Sequence, residues 1–238
     1  MASRHAGIPT SQLTVTRPVM AASSPSFFRA PSSSPGCSPR ASANREKALV
    51  GKEVSVRLFT AFELPPEVKS DLARVQADLA SLPFKRWQSL ATLHLTLHFL
   101  GEVQPDRLED LEKTLRDGCR GFGGFPLHLE GLGAFPSRQR PRTLWIGVGG
   151  RIDRLRELEK RLRPRVTDLG IPLEDREYRP HITLARDPRG PVQLPAPEEG
   201  RGLPDSGREW QATELVLFQS VLQRGGAVHT PLARFPLA

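Results

Sequence analysis

The sequence predicts an α+β fold made of two similar lobes. Three observations carry this: apolar residues alternate in several short stretches, they recur at helical spacing in three others, and one four-residue pattern occurs twice. At 238 residues and 38% hydrophobic, the chain can bury a core without disulfide or metal staples. No stretch approaches the roughly 18 apolar residues that a membrane-spanning helix needs. Two cysteines, Cys37 and Cys119, give neither a disulfide framework nor a cysteine-based zinc site, so a reducing compartment is the default. The formal charge of +8 and the pI near 10.3 set up a field that attracts polyanions, of which nucleic acid is the commonest. An arginine-rich surface with no ligand gives the same numbers, so charge alone decides nothing.

Residues 1–48 are rich in Ser, Pro, Ala and Arg and hold no acidic residue before Glu46, which predicts a tail rather than a domain. Its composition fits an organelle transit peptide, a disordered extension or an upstream start of the reading frame equally well. Residues 49–238 are predicted to form the folded part. There Val54, Val56, Leu58 and Phe62 mark a half-buried strand that Leu64-Pro65-Pro66 ends. Pro65-Pro66-Glu67 then opens a helix with Val68, Leu72, Val75 and Leu79 on one face, closed by Leu82-Pro83. A strand is expected within residues 86–101, and a helix over 105–116 with Leu108, Leu111 and Leu115 inward. Strands at 125–135 and 142–148 should pair as a hairpin. A third helix runs from Ile152 to Leu169, which Pro164 should kink or shorten. A strand at 178–186, a Pro- and Gly-rich loop at 187–208, and a closing strand pair at 214–223 and 228–235 complete the prediction.

The repeated pattern is His94-Leu95-Thr96-Leu97 and His181-Ile182-Thr183-Leu184, each within a predicted strand. Successive strand side chains point to opposite faces, so each copy offers an imidazole and a hydroxyl roughly 6 to 7 Å apart on one surface, backed by apolar residues. Two histidines of near-neutral pKa suit a displacement at phosphorus in which one takes a proton and the other gives one. Threonine hydroxyls can donate to the phosphate oxygens as charge develops on them. Such chemistry requires neither a metal nor a covalent nucleophile. A single His-x-Thr in a strand is common by chance and reads as an ordinary polar face. Two copies using two of only six histidines point to a site. His5, His98, His128 and His229 show no such doubling. Strict alternation places Leu93, Leu95, Leu97 and Phe99 in the core, His98 on the face of His94, and Arg186 opposite His181. His98 then reads first as an exposed strand residue and second as a contact to RNA phosphate. Trp87, Phe59 and Phe62 read as core before they read as stacking platforms for a base.

With these residues in view a resemblance becomes specific. Arg86-Trp87, the run from Leu93 to Gly101 and the run from Arg179 to Arg186 resemble the RNA 2',3'-cyclic phosphodiesterase family, once called 2'-5' RNA ligases, of the two-histidine phosphoesterase superfamily. The run from Arg57 to Pro66, Gly131-Leu132-Gly133-Ala134-Phe135-Pro136 and Thr143-Leu144-Trp145-Ile146-Gly147-Val148 extend the similarity over about 54 to 236. The resemblance implies a bilobal fold whose two antiparallel sheets form a central groove with helices outside. It implies hydrolysis of RNA 2',3'-cyclic phosphate ends to 2'-phosphate, with 2'-5' ligation as the reverse reaction. His94 carries over as proton donor to the leaving 3'-oxygen and His181 as proton acceptor from water, although the residues themselves leave the two roles interchangeable. Thr96, Thr183 and Arg186 carry over as phosphate ligands. The partner implied is RNA with a cyclic phosphate terminus. No cofactor, metal or membrane is expected, and the default is a cytoplasmic monomer, with organelle import if the tail is a transit peptide.

Two departures bear on substrate preference rather than chemistry. Ser89-Leu90-Ala91-Thr92 precedes the first motif, and Gly225-Gly226-Ala227-Val228-His229 stands where the family often has an aromatic residue. Competing readings are a zinc protease, a non-catalytic RNA-binding module, and a phosphodiesterase of 2',5'- or 3',5'-bonds. The first is disfavoured because His94 and His98 are four apart in a strand, where parity separates them by about 13 Å, and no glutamate lies between them.

Overall fold

A computed structural model describes residues 55–195, 208–224 and 226–238. The predicted tail, and residues 196–207 of the predicted loop, lie outside them. The described chain runs β1 (Val56–Glu63), α1 (Pro66–Asp78), β2 (Phe84–Trp87), β3 (His94–Val103), α2 (Leu108–Cys119), β4 (Phe125–Pro136), β5 (Pro141–Gly150), α3 (Ile152–Thr167), β6 (His181–Pro188), β7 (Glu209–Ala212), β8 (Glu214–Gln223) and β9 (Gly226–Pro236). Two sheets form, in the orders β3-β1-β8-β9 and β2-β6-β5-β4-β7. Every pairing is antiparallel. The α+β prediction with two antiparallel sheets therefore holds.

Each motif strand belongs to a different sheet, and the chain interlaces the two. β2 comes from the first half yet pairs with β6, while β8 and β9, from the end of the chain, complete the sheet that holds β1 and β3. The helices bury their apolar faces as the spacing predicts: Val68, Leu72 and Val75 on α1, Leu111 and Leu115 on α2, and Leu155, Leu158, Leu162 and Val166 on α3. These side chains join one cluster with Leu95 and Leu97 of β3 and Ile182 and Leu184 of β6. The apolar residues of both motifs thus anchor their strands in a shared core.

Three expectations are refined. Residues 86–101 contain the expected strand, β3 from His94 onward, and also the end of β2, parted from it by a single 3-10 turn at Leu90–Thr92. Pro164 sits inside α3, which stops at Thr167, short of the expected Leu169. Pro164 and Lys160, whose carbonyl a proline cannot bond, both face solvent, so water can take the place of the missing donor. The 178–186 strand begins only at His181, and β7 has no counterpart among the predicted strands.

Strict alternation breaks in both motif strands. Along β1 and β3, Ala61 faces Thr96 and Thr60 faces His98, leaving Leu97 as an extra residue. Along β5 and β6, Trp145 faces Thr183 and Leu144 faces Ala185, leaving Leu184 extra. Both motifs therefore carry a β-bulge at their fourth residue, and each bulge inverts the parity of the residues C-terminal to it. His98 turns inward to 3% exposure, and Phe99, expected in the core, turns outward to 54%. By the same inversion Arg186 comes round to the face of Thr183, with Nη2 3.4 Å from the threonine Oγ1.

Gly133 and Trp145 are opposite one another in the β4–β5 pair, and the indole lies where a Cβ on Gly133 would fall, 2.1 Å from its outer ring. Replacing Gly133 with alanine is expected to lower the unfolding free energy by about 1 to 3 kcal/mol, read as a reduced urea midpoint at constant slope. An unchanged midpoint would mean that the ring is not held in place there.

Candidate active site

His94 and His181 each open their strand, and each is held by the same local device. Nδ1 of His94 lies 2.7 Å from the carbonyl oxygen of Thr92, and Nδ1 of His181 lies 2.7 Å from that of Arg179. A carbonyl can only accept, so Nδ1 carries the proton and donates in both rings. Nε2 is left as the nitrogen available for chemistry. An aromatic wall stands beside each imidazole. The Phe59 ring centroid lies 4.8 Å from that of His94 and is itself stacked on Phe218 at 5.1 Å. Phe135 meets His181 edge-on at 4.9 Å, with Trp145 at 5.9 Å. The motif segments 131–136 and 143–148 thereby find a physical role: Gly133 makes room for Trp145, which with Phe135 flanks His181.

The two halves converge. Thr96 from the first motif and His181 from the second line one cavity of about 470 Å³, together with Phe99, Phe135 and Tyr178. His94 lies within electrostatic reach of both His181 and Arg186. Its pKa falls to about 4, chiefly because burial disfavours the cation; the Thr92 carbonyl opposes that shift, and the positive neighbours His229, Arg186 and His181 reinforce it. His181 is also lowered, first by burial, against its bond to the Arg179 carbonyl, and then by Arg186. Thr96 and His181 thus share a cavity, His94 is coupled electrostatically to His181 and Arg186, and Arg186 reaches Thr183, which links all five residues proposed from the sequence. His98 reaches the same cavity from the buried side of the bulged strand, with Nε2 3.4 Å from Glu159 Oε1. It is turned inward at 3% exposure, away from His94, so the two cannot share a metal.

One residue of this region escaped the sequence reading. His229 on β9 sits opposite Ser220 of β8, with its ring 5.3 Å from His94 and 4.9 Å from Phe59, edge-on to both. Its Nδ1 is buried without a hydrogen-bond partner among the described residues, and burial lowers its pKa. No repeated pattern marks it. The one available cue was the closing strand pair, which carries β9 past Phe218 and so to Phe59.

The arrangement offers two oriented imidazoles, two hydroxyls and a guanidinium around a gap, and an anion of phosphate size and charge suits it. In the folded protein His94 resists protonation that the unfolded chain accepts near pH 6.5. The native state then binds fewer protons than the unfolded one, so stability falls as pH drops from about 6.5 toward 4. His94→Gln removes this contribution. The melting temperature of the parent minus that of the variant is expected to shrink steadily from pH 7 to pH 4, and a pH-independent difference would contradict the assignment.

A family model described as LigT-like phosphoesterase matches the chain twice, over residues 62–145 and 146–229, each match containing one copy of the motif. The RNA 2',3'-cyclic phosphodiesterase of Aeropyrum pernix is 34% identical over 166 residues, covering 68% of this chain and 92% of the relative. That of Geobacillus stearothermophilus is 34% identical over 180 residues, 75% of this chain, and the chain spans 56% of that relative's length. Among solved structures, Escherichia coli LigT complexed with 3'-AMP superposes with a TM-score of 0.66 at 31% identity, over 77% of this chain and 98% of the other.

Proposed function

This chain belongs to the LigT-like phosphoesterase family, and we propose that it hydrolyses the 2',3'-cyclic phosphate at the end of an RNA to leave a 2'-phosphate. The observation that carries the reading is the doubled strand motif, bulged at the same residue in each copy, with each imidazole tethered through Nδ1. In the reaction, Nε2 of His181 takes a proton from water as the oxygen attacks phosphorus. His94 gives a proton to the 3'-oxygen as the bond from phosphorus to that oxygen breaks. The hydroxyls of Thr96 and Thr183 and the guanidinium of Arg186 meet the charge on the non-bridging oxygens. No metal takes part in any of these steps.

His94 must be protonated to act, and burial lowers its pKa to about 4. An anionic phosphodiester placed between the histidines favours the cation and raises that value, so the substrate itself prepares the acid. The Nδ1 tethers leave each ring one free nitrogen, so no tautomer search precedes the proton transfers. Among the described residues no helix is long and apolar enough to cross a membrane. We place the protein in the cytoplasm as a monomer acting on RNA ends, with residues 49–238 as the catalytic unit.

The test is an incubation with an oligonucleotide ending in a 2',3'-cyclic phosphate, in EDTA, with the product identified by phosphorus NMR. A 2'-phosphate is expected. His94→Ala and His181→Ala should each lower kcat by about 100- to 10,000-fold while RNA affinity stays within a few-fold. Turnover that survives both substitutions, or that needs added metal, overturns the mechanism. Binding without turnover points to an RNA-binding module, and a 3'-phosphate product to a different phosphodiesterase.

A further inference from the structure

The two motif strands lie in separate sheets, so a site shared between them depends on what joins β3 to the approach of β6. Tyr178, three residues before His181, donates its hydroxyl to the backbone carbonyl of Thr96 at 2.8 Å. This hydrogen bond runs from the leader of the second motif into the middle of the first. β3 is an edge strand of its sheet and is bulged at Leu97, so it carries backbone groups that the ladder does not use. Tyr178 satisfies one of them. The same short segment also supplies the Arg179 carbonyl that tethers Nδ1 of His181. Residues 178 and 179 therefore hold both motifs, one by a side chain and the other by a peptide oxygen.

The surroundings keep the phenol a donor. Burial, with a further push from the nearby Glu159 carboxylate, drives its pKa well above the usual range. Glu159 is in turn held by Arg163 and by the inward-turned His98. Phenylalanine would fill the same space and leave the Thr96 carbonyl without this partner.

We propose that Tyr178 is a positioning residue for the reaction proposed above, fixing Thr96 and its strand relative to His181 so that the two motifs meet one phosphate. The role rests on that reading of the function. A misplacement of about 1 Å between reacting groups can reduce a rate by about 100-fold without a comparable loss of binding. Tyr178 is also the only tyrosine in the sequence, so a label on tyrosine reports on this position alone.

The experiment compares the parent, Tyr178→Phe, and protein in which tyrosine is replaced throughout by 3-fluorotyrosine. On a 2',3'-cyclic-phosphate oligonucleotide, Tyr178→Phe should lose about 10- to 100-fold in kcat. Its KM, and its affinity for inorganic phosphate, should change by less than about threefold, and it should remain folded by thermal melt. The fluorotyrosine protein keeps the hydroxyl and should keep kcat. Its single fluorine resonance should shift when a nucleoside 2'-monophosphate is added. A Tyr178→Phe variant with the parent's kcat overturns the role, as does a loss shared equally by kcat, phosphate affinity and folded fraction. A parent that hydrolyses no cyclic phosphate overturns the functional reading and this role with it; a parent that does, matched by Tyr178→Phe, overturns this role alone.

Discussion

A strand that lends side chains to a groove while packing into a core is bound to a period of two, and that period limits what it can present on one face. In this protein a one-residue bulge at Leu97 and another at Leu184 release the limit. Each bulge leaves its histidine and threonine on the groove side, keeps two consecutive residues inward, and returns the next residue to the groove. The residue returned is Phe99 in one sheet and Arg186 in the other. One device thus gives the groove an exposed aromatic on the first strand and a cation on the second. The Tyr178 bond, the inward turn of His98 and the approach of Arg186 to Thr183 all depend on where these extra residues fall.

Charge is distributed to match. The carboxylates near the groove are already engaged: Glu63 and Glu214 by Arg234, Asp187 by Arg86, Glu159 by Arg163, Glu174 by Arg176 and Glu177 by Arg179. Arg186 and three imidazoles cluster about the two motifs. Burial favours the neutral form of each imidazole, which avoids packing several cations together. In the proposed reaction an incoming phosphate would reverse the balance by supplying the missing negative charge. The aromatic rings of Phe59 and Phe135 contribute twice, as packing for their sheets and as walls that fix each imidazole plane.

Much of this was legible in the sequence because the signals are local. Apolar spacing located all three helices, and the paired His-x-Thr pattern located both motif strands. What stayed hidden depends on distant partners. A bulge is a relation between two strands, so no reading of 94–101 or 181–186 alone could reveal that Leu97 and Leu184 would be extra. Strict alternation then misplaced His98, Phe99 and Arg186 together, for one reason. β2 and β7 have four residues each, too few for periodicity to speak, and both take their place only because β6 and β4 offer an edge. His229 entered the site through the pairing of β9 with β8, and Pro164 was tolerated because its face of α3 is wet.

The central claim is that two tethered imidazoles from separate sheets act on opposite sides of a single phosphorus. A crystal structure with bound oxovanadate, which adopts the five-coordinate geometry of an in-line displacement, tests it most directly. The account predicts vanadate in the groove with Nε2 of His94 and Nε2 of His181 each within about 3 Å of a different apical oxygen, and Thr96, Thr183 and Arg186 around the equatorial plane. Vanadate held elsewhere, or approached by only one of the two rings, would contradict it.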